Sequence, residues 1–303
     1  MRILLIHNPK AGDRKHSRKE LIAALTNHGH HALYQSTKKS GWKKALKQPI
    51  DLVIAAGGDG TVHKTAWQIM GSGIPLSILP LGTANNLARS LGFTASVEEI
   101  IQSLESGKRR PFDVGMVRGS SRARFFLEAA GGGLFADYFR AADKLEKKGG
   151  VPEENLSTHL SLLHDLSFRY PARRCKMRLD AEDISGRYIL WGAMNIHSAG
   201  PALHLAPNAR SNDGRLDFVA VREDDRRLLT KYLEARLAGG HERLPLTARK
   251  FRELFITSPL GAIHLDGKIV RSKTKKKLKA SCRVEITIKP AALTIWKHVI
   301  QSG

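Results

Sequence analysis

The segment Gly57-Gly-Asp-Gly-Thr-Val-His-Lys-Thr-Ala-Trp67 follows an apolar run at Leu52–Ala56, and it decides how the N-terminal part of the chain is interpreted. Its glycines, at 57, 58 and 60, stand where a buried strand ends and a helix is expected to begin at Thr61. Glycine permits positive φ angles and lets another group approach the main chain closely. The first amides of a helix lack partners within the helix and favour an anion. The segment therefore predicts a phosphate-binding turn.

Around this turn, up to about residue 110, short apolar strands alternate with amphipathic helices. This alternation is typical of a parallel sheet with helices on both faces, which binds ligands beyond the carboxyl ends of its strands. We therefore predict a three-layer α/β nucleotide-binding domain over residues 1–110. The predicted strands are Arg2–His7, His31–Gln35, Leu52–Ala56 and Leu76–Leu79, and the predicted helices are Arg18–Asn27, Trp42–Leu46, Val62–Met70 and Ala84–Leu91.

After residue 110 strand-like segments dominate, which predicts a mainly β domain over residues 111–289. Helical patterns interrupt the strands at about 134–147, 156–168 and 225–237. The segment 290–303 is a candidate to complete the first domain. The predicted strands are Phe112–Val117, Arg124–Ala130, Arg174–Leu179, Tyr188–Ile196, Leu216–Val221, Phe251–Thr257, Ala262–Leu265, Val284–Ile288 and Leu293–Lys297.

The glycine spacing at residues 57–60 matches neither the dinucleotide fingerprint nor the phosphate loop of P-loop enzymes. A carboxylate at Asp59 would hold Mg²⁺ against phosphoryl oxygens, and the alternative is an ordinary turn in which Asp59 caps a helix. A second strand runs into a glycine turn at Leu79-Pro-Leu-Gly-Thr-Ala-Asn-Asn-Leu-Ala-Arg-Ser-Leu-Gly92. There Thr83 offers a hydroxyl and an amide to the same ligand.

These two segments together resemble the diacylglycerol kinase catalytic family, which includes bacterial soluble lipid kinases and sphingosine kinases. The resemblance continues in the same order along nearly the whole chain. It includes Asn8-Pro-Lys-Ala-Gly12, Thr37, Asp113-Val-Gly115, Gly200-Pro201, Ala209-Arg-Ser-Asn-Asp-Gly-Arg-Leu-Asp217 and Leu265-Asp-Gly267.

The resemblance implies transfer of the γ-phosphate of ATP to a lipid hydroxyl, such as that of diacylglycerol, in a cleft between two domains. NAD kinases have a similar fold and share Gly-Gly-Asp-Gly but not the Leu-Gly-Thr-Ala-Asn-Asn-Leu-Ala-Arg continuation, so they are the nearest enzymatic alternative. By position, Asp59 would lie near catalytic Mg²⁺. The implied nucleotide-binding residues are Asn8, Thr37, Gly57, Gly58, Asp59, Gly60, Thr61, Gly82 and Thr83.

The resemblance also implies a structural Mg²⁺ at Arg210, Asp213 and Arg215. Only Asp213 has a side chain suited to a hard cation, so the two arginines would contribute backbone carbonyls. The alternative is a plain turn, because Asn-Asp-Gly is a favourable turn sequence.

Two motifs depart from the family, at three positions. His63 and Lys64 stand where the family has Asn and Glu, and Lys268 stands where the family has the Glu proposed as general base. A protonated lysine cannot accept a proton at neutral pH, so Lys268 would act as an electrostatic clamp on the γ-phosphate and Asp266 as a substitute base. The alternative is a catalytically impaired nucleotide-binding protein associated with membranes.

The chain has 303 residues and a formal net charge of +22, which favours phosphate-rich partners. The basic run Arg271–Lys279 predicts contact with an anionic membrane surface, and a solvated loop is the alternative. Nucleic acid is disfavoured because the run has no interleaved aromatic residues.

The location of the protein is inferred from two further features. The chain has two cysteines, Cys175 and Cys282, and no apolar segment of membrane-spanning length. These features favour a cytoplasmic protein that is peripheral to the membrane. The sequence is also compatible with a homodimer.

Overall fold

A computed structural model describes residues 1–12, 16–119, 123–147, 156–240, 243–258, 262–270 and 282–297. The chain forms two compact units. The first comprises Met1–Phe112 together with the residues from Ala291 onward, and the second comprises Asp113–Pro290. The first unit is α/β and the second is mainly β, which confirms the predicted fold class.

The first unit is built on a parallel sheet. Strand order is β2-β1-β3-β4, and Ile295 from the C-terminal segment adds a parallel pairing to Leu76 of β4. The central strand β3 is buried along its whole length, as its continuous apolar run requires. The elements are β1 (Arg2–His7), α1 (Arg18–Asn27), β2 (His31–Ser36), α2 (Trp42–Ala45), β3 (Leu52–Gly57), α3 (Asp59–Ile69), β4 (Leu76–Pro80), α4 (Asn86–Leu91) and α5 (Val97–Gln102).

Capping decides where the helices of this unit begin. Ser17 and Glu20 form a reciprocal capping box at α1, which begins at the predicted residue. Helix α3 begins at Asp59, two residues before the predicted Thr61. The extended residue Gly58 explains the difference, because its carbonyl accepts hydrogen bonds from the amides of Thr61 at 2.8 Å and Val62 at 3.2 Å.

The second unit packs two sheets face to face. One sheet has the order β15-β14-β11-β7-β17-β18 with β8 on β11, and the other contains β10-β9-β16-β19. The elements are β5 (Lys108–Arg118, which starts in the first unit), β6 (Arg124–Phe126), β7 (Ala129–Gly133), α6 (Leu134–Lys147), α7 (Leu156–Arg169), β8 (Arg173–Cys175), β9 (Met177–Leu179), β10 (Glu182–Asp183), β11 (Gly186–Met194), β12 (Ser198–Ala199), β13 (Leu203–His204), β14 (Leu216–Arg222), α8 (Arg226–Leu237), β15 (Arg249–Phe251), β16 (Glu253–Ser258), β17 (Ile263–Leu265), β18 (Lys268–Val270) and β19 (Cys282–Lys297, which ends in the first unit).

Two apolar clusters hold this unit together. Trp191, Phe251 and Ile286 lie in the cluster between the two sheets, where all three are buried. The helices cover the outer face of one sheet through a second cluster that includes Leu163 and Leu229. Burying side chains of this size contributes about 1.5–3 kcal/mol each.

Some predicted strands have different bounds. The predicted strand Arg124–Ala130 is interrupted at Leu127-Glu128, because the carboxylate of Asp266 binds the backbone amides there. The predicted strands Val284–Ile288 and Leu293–Lys297 are one continuous strand, β19. None of the helices in the described residues combines the length and the apolar character needed to cross a membrane.

Candidate active site

The candidate nucleotide loops lie at one edge of the first unit's sheet. The strand register pairs His7 with both Ser36 and Ala56, and it pairs Gly57 with Pro80. The carboxyl ends of β1, β2, β3 and β4 are therefore level. The residues that follow these ends are Asn8, Thr37, Gly57–Thr61 and Gly82-Thr83, so the structure brings the nucleotide-binding residues predicted from the sequence together.

Backbone hydrogen bonds join these loops to each other. The amide of Asn8 donates to the carbonyl of Ala56 at 2.9 Å, and the amide of Thr37 donates to His7 at 2.9 Å. The amide of Leu81 donates to Gly57 at 3.2 Å. Main-chain contacts therefore hold the loops after β1, β2 and β4 to the strands beside them.

Three glycines in these loops are required by close packing. A Cβ at Gly57 would lie 2.7 Å from Cβ of Thr61. A Cβ at Gly58 would lie 3.2 Å from Cα of Gly82. A Cβ at Gly82 would overlap Cα of Gly58 and lie 2.9 Å from Oδ1 of Asn85. The two glycine turns therefore touch backbone to backbone, which only residues without side chains permit.

Gly60 has a different explanation. It is exposed in the first turn of α3, where a Cβ would meet no atom within 4 Å and φ lies outside the left-handed region. In the middle of a helix glycine costs about 0.5–1 kcal/mol relative to alanine, and this is the upper limit for Gly60 in the first turn. Packing and backbone conformation give no reason for this glycine, whereas close approach of a ligand to the helix N-terminus does.

Asp59 joins the two glycine turns. Its Oδ2 accepts a hydrogen bond from the amide of Asn86 at 3.0 Å, and its Oδ1 accepts one from Leu87 at 3.0 Å. These amides begin α4, whose own cap residue Asn85 makes no side-chain capping bond. The capping alternative is thus observed, although the helix that Asp59 caps is a neighbouring one. A carboxylate has about four acceptor positions, so two remain for a cation, and the Mg²⁺ role stays a prediction.

In the second unit Asp266 is engaged more fully. Its oxygens accept hydrogen bonds from the amides of Leu127 at 2.9 Å, Glu128 at 2.8 Å and Ala129 at 3.1 Å. Its left-handed φ of 46° points the carboxylate back at this loop. Three of about four acceptor positions are therefore used by the fold. The general-base role of Asp266 stays a prediction, and its observed role is to hold the loop.

The remaining motif positions are spread over buried and exposed sites. Lys268 is exposed at the start of β18, where its backbone pairs with Leu265. Of the two departures in the first motif, His63 is buried and Lys64 is exposed on α3. The basic run Arg271–Lys279 lies outside the described residues.

A buried histidine next to this segment was not singled out from the sequence. His264 is 1% exposed, and neither ring nitrogen has a hydrogen-bond partner within the described part of the chain. The ring packs against Phe139 and Phe135, with centroids 4.7 Å and 5.9 Å away. Burial lowers the pKa of His264 to about 3, so the imidazole is neutral at pH 7. In the sequence His264 stands between two apolar residues of a predicted strand, and no motif or spacing marks it as a buried histidine.

The loop predicted to hold a structural metal already contains a cation. Asp213 Oδ2 lies 2.5 Å from Nζ of Lys250, and its Oδ1 accepts the amide of Arg215 at 3.1 Å. The side chains of Arg210 and Arg215 are exposed. Across the described ranges, no group of three or more His, Cys, Asp or Glu residues has a metal-binding arrangement. Because the ammonium of Lys250 already neutralises Asp213, the only carboxylate of this donor set, the set does not fit a divalent ion.

Comparison with known proteins gives the same two-part organisation. Residues 2–117 match the diacylglycerol kinase catalytic domain, and residues 138–296 match the YegS C-terminal NAD kinase beta sandwich-like domain. A diacylglycerol kinase from Bacillus subtilis is 27% identical over 254 residues, covering 79% of this chain and 80% of that protein. A probable lipid kinase YegS from Escherichia fergusonii is 30% identical over 231 residues, covering 73% and 75%.

Solved structures agree with the fold. A putative diacylglycerol kinase from Bacillus anthracis superimposes with a TM-score of 0.70 at 21% identity, covering 98% of this chain and 97% of that one. The two domain matches and the 30% identity to a probable lipid kinase confirm the resemblance drawn from the glycine motifs. The chain belongs to the diacylglycerol kinase catalytic-domain family of lipid kinases.

Proposed function

We propose that this protein is an ATP-dependent kinase that transfers the γ-phosphate of ATP to the hydroxyl of a lipid. The observation that carries the proposal is Gly60, a glycine for which the fold has no use, at the N-terminus of α3. The Gly58–Gly82 contact and the loop after β1 lie at the same sheet edge. Backbone amides at a helix N-terminus favour phosphate oxygens.

Most of the acceleration would come from positioning and charge neutralisation. The acceptor oxygen forms a bond to the γ-phosphorus as the bond from that phosphorus to the β,γ-bridging oxygen breaks, and ADP leaves with the electron pair. The hydroxyl proton passes to water or to the carboxylate of Asp266. Because the transition state is loose, a strong base is not essential, and the ammonium of Lys268 would offset charge on the transferred group.

Mg²⁺ fits this scheme through Asp59, which has two acceptor positions left after binding Asn86 and Leu87. When bound, Mg²⁺ supplies charge neutralisation at the phosphoryl oxygens. The amides after β3 and β4 would orient the phosphate chain in either case. Asp59 would therefore connect the metal to the second glycine turn.

The lipid acceptor is proposed to be presented at an anionic membrane surface. The net charge of +22 supports attraction to such a surface. Each cation near the surface contributes about 1 kcal/mol at physiological ionic strength. The basic run Arg271–Lys279 would contribute most of this attraction.

A second candidate is a nucleotide-binding protein without kinase activity. It is favoured by Lys268 in the position of the family's base and by the three amide bonds that already engage Asp266. Such a protein would keep the first-unit loops and bind Mg·ATP without transferring phosphate. NAD kinase activity would be a third outcome of the same assay.

Radiolabelled phosphate transfer separates these functions. The purified full chain is incubated with γ-labelled ATP, Mg²⁺ and mixed phosphatidylglycerol vesicles containing diacylglycerol, with NAD⁺ in a parallel reaction. The proposal expects label in an organic-soluble product, lost in Gly82→Val. ATP binding without labelled lipid would support the second candidate, and label on NAD⁺ would overturn the lipid assignment.

A further inference from the structure

A lysine ammonium occupies the centre of a carboxylate loop in the second unit. Nζ of Lys250 lies 2.5 Å from Oδ2 of Asp213 and 3.6 Å from Oδ2 of Asp217. Asp217 is 2% exposed, so its charge needs a partner inside the protein. A nearby third carboxylate, Asp113, accepts the amide of Gly214 at 2.8 Å. The ammonium of Lys250 thus lies between two carboxylates, and a third carboxylate binds the backbone of the same loop.

Strand pairing brings this cation to the loop. In the antiparallel pair β14–β15, Asp217 is directly opposite Lys250, with Leu216 opposite Phe251 and Phe218 opposite Arg249. Residues that face each other across an antiparallel pair project to the same side of the sheet. Because Asp213 lies just before β14, its carboxylate reaches the same ammonium. The position of Lys250 is therefore set by the register of the sheet.

The ammonium and a divalent cation would compete for this position. A hard cation needs carboxylate charge that no other cation neutralises, whereas the only carboxylate of the predicted metal set, Asp213, already binds the ammonium of Lys250. A second positive charge a few ångströms from Nζ would also be repelled.

We infer that the ammonium of Lys250 is the resident cation of the Asp213 loop and replaces the structural divalent ion that the family resemblance implies. The loop is then stable without metal, because a residue of β15 supplies its cation. This inference concerns the stability of the second unit, and it stands independently of the kinase proposal.

Thermal unfolding of the full chain tests the inference without an activity assay. Melting temperatures are measured without nucleotide, in EDTA and in millimolar Mg²⁺ or Ca²⁺. The wild type is expected to melt within about 1 °C in all three conditions. Lys250→Met is expected to melt about 5 °C lower in EDTA, because Asp217 loses its partner, and to regain part of that loss with the divalent ion.

Two further variants control the interpretation. Lys250→Arg keeps the charge and is expected to retain metal independence. Adding Asp213→Asn to Lys250→Met is expected to abolish the recovery by divalent ions. If a divalent ion raises the melting temperature of the wild type and of Asp213→Asn equally, the ion binds elsewhere in the chain. That result agrees with the inference.

The overturning result is stabilisation of the wild type by Mg²⁺ or Ca²⁺ that Asp213→Asn removes. It would show that the loop binds metal with Lys250 present. This comparison uses only the wild type and Asp213→Asn, so it remains decisive even if the Lys250 variants do not fold.

Discussion

Asp59 in the first unit and Asp266 in the second are each followed by a glycine in a tight turn, and both hold a distant loop through backbone amides. Asp59 binds two amides that begin α4, and Asp266 binds three amides between β6 and β7. The turns differ in their glycines. Gly267 has a φ of 75°, and a Cβ there would lie 3.1 Å from Phe139, so the fold alone requires it. Gly60 has neither a positive φ nor a close contact that would require glycine.

This difference shows how a binding turn can be told from a structural one. An aspartate in a glycine-rich turn is explained by loop-to-loop hydrogen bonds in both units, so its presence alone identifies no catalytic site. A glycine that neither packing nor φ requires, and that destabilises its helix, indicates that something outside the fold needs the space. Gly60 is such a residue, and Gly267 is not.

The largest expected effect compares Asp266→Ala with Asp59→Ala. Each buried amide left without an acceptor costs about 1–3 kcal/mol, so Asp266→Ala should lower the melting temperature more than Asp59→Ala. Only Asp59→Ala should also remove the stabilisation by Mg·ATP, measured as a melting shift. An Asp266→Ala protein that melts like the wild type but loses turnover would show that Asp266 is the base.

The second largest effect on stability is expected for Gly82→Ala. Its Cβ would overlap Cα of Gly58, so the two turns must separate at a cost of about 1–3 kcal/mol, and Mg·ATP affinity should fall with it. Gly186→Ala is the matched control, since its Cβ meets its nearest atom at an ordinary 3.5 Å. Urea unfolding and calorimetric titration measure the two quantities. If the two variants had the same free energy of unfolding and the same affinity for Mg·ATP, contact between the turns would be contradicted.

His264 gives the second unit an acid-sensitive element. Its pKa of about 3 when folded lies below the ordinary value of 6.5, so the unfolded chain takes up a proton between these values and the folded chain does not. Stability should therefore fall by up to about 1.4 kcal/mol per pH unit as pH drops from 6.5 towards 3. His264→Leu should flatten the plot of unfolding free energy against pH by that amount. Parallel plots would mean that the imidazole is not neutral and buried.

Lys268→Glu should have the smallest effect on the free energy of unfolding, because Lys268 is exposed. Because the ammonium of Lys268 is proposed to offset charge on the transferred group, the variant is expected to transfer phosphate to lipid about tenfold more slowly, which corresponds to about 1.4 kcal/mol. Initial rates with labelled ATP measure the change, with the melting temperature as control. Faster transfer would show instead that the lysine merely replaces a base.

Much of the first unit was predictable because its signals are local. The capping box at Ser17 and Glu20 and the apolar runs of β1 and β3 identify their elements within a few residues. Helix α5 was missed, although Ser96 and Glu99 form the same kind of box. That signal was present in the sequence.

Other features depend on contacts between distant parts of the chain. The break between β6 and β7 arises from Asp266, which lies 139 positions beyond Leu127. The partners of Asp59 and the pairing of Lys250 with Asp217 likewise follow from loop packing and strand register. Neither leaves a periodic pattern, so the motifs indicated where function lies but not which atoms are already engaged by the fold.

Calorimetric titration of Mg·ATP into Gly60→Ala tests most directly whether a ligand, and not the fold, requires that glycine. The variant should melt at the wild-type temperature or slightly higher, because alanine favours the helix by about 0.5–1 kcal/mol. We expect its affinity for Mg·ATP to fall by about tenfold or more, which corresponds to about 1.4 kcal/mol. Unchanged affinity in a fully folded Gly60→Ala protein would contradict nucleotide binding at this turn.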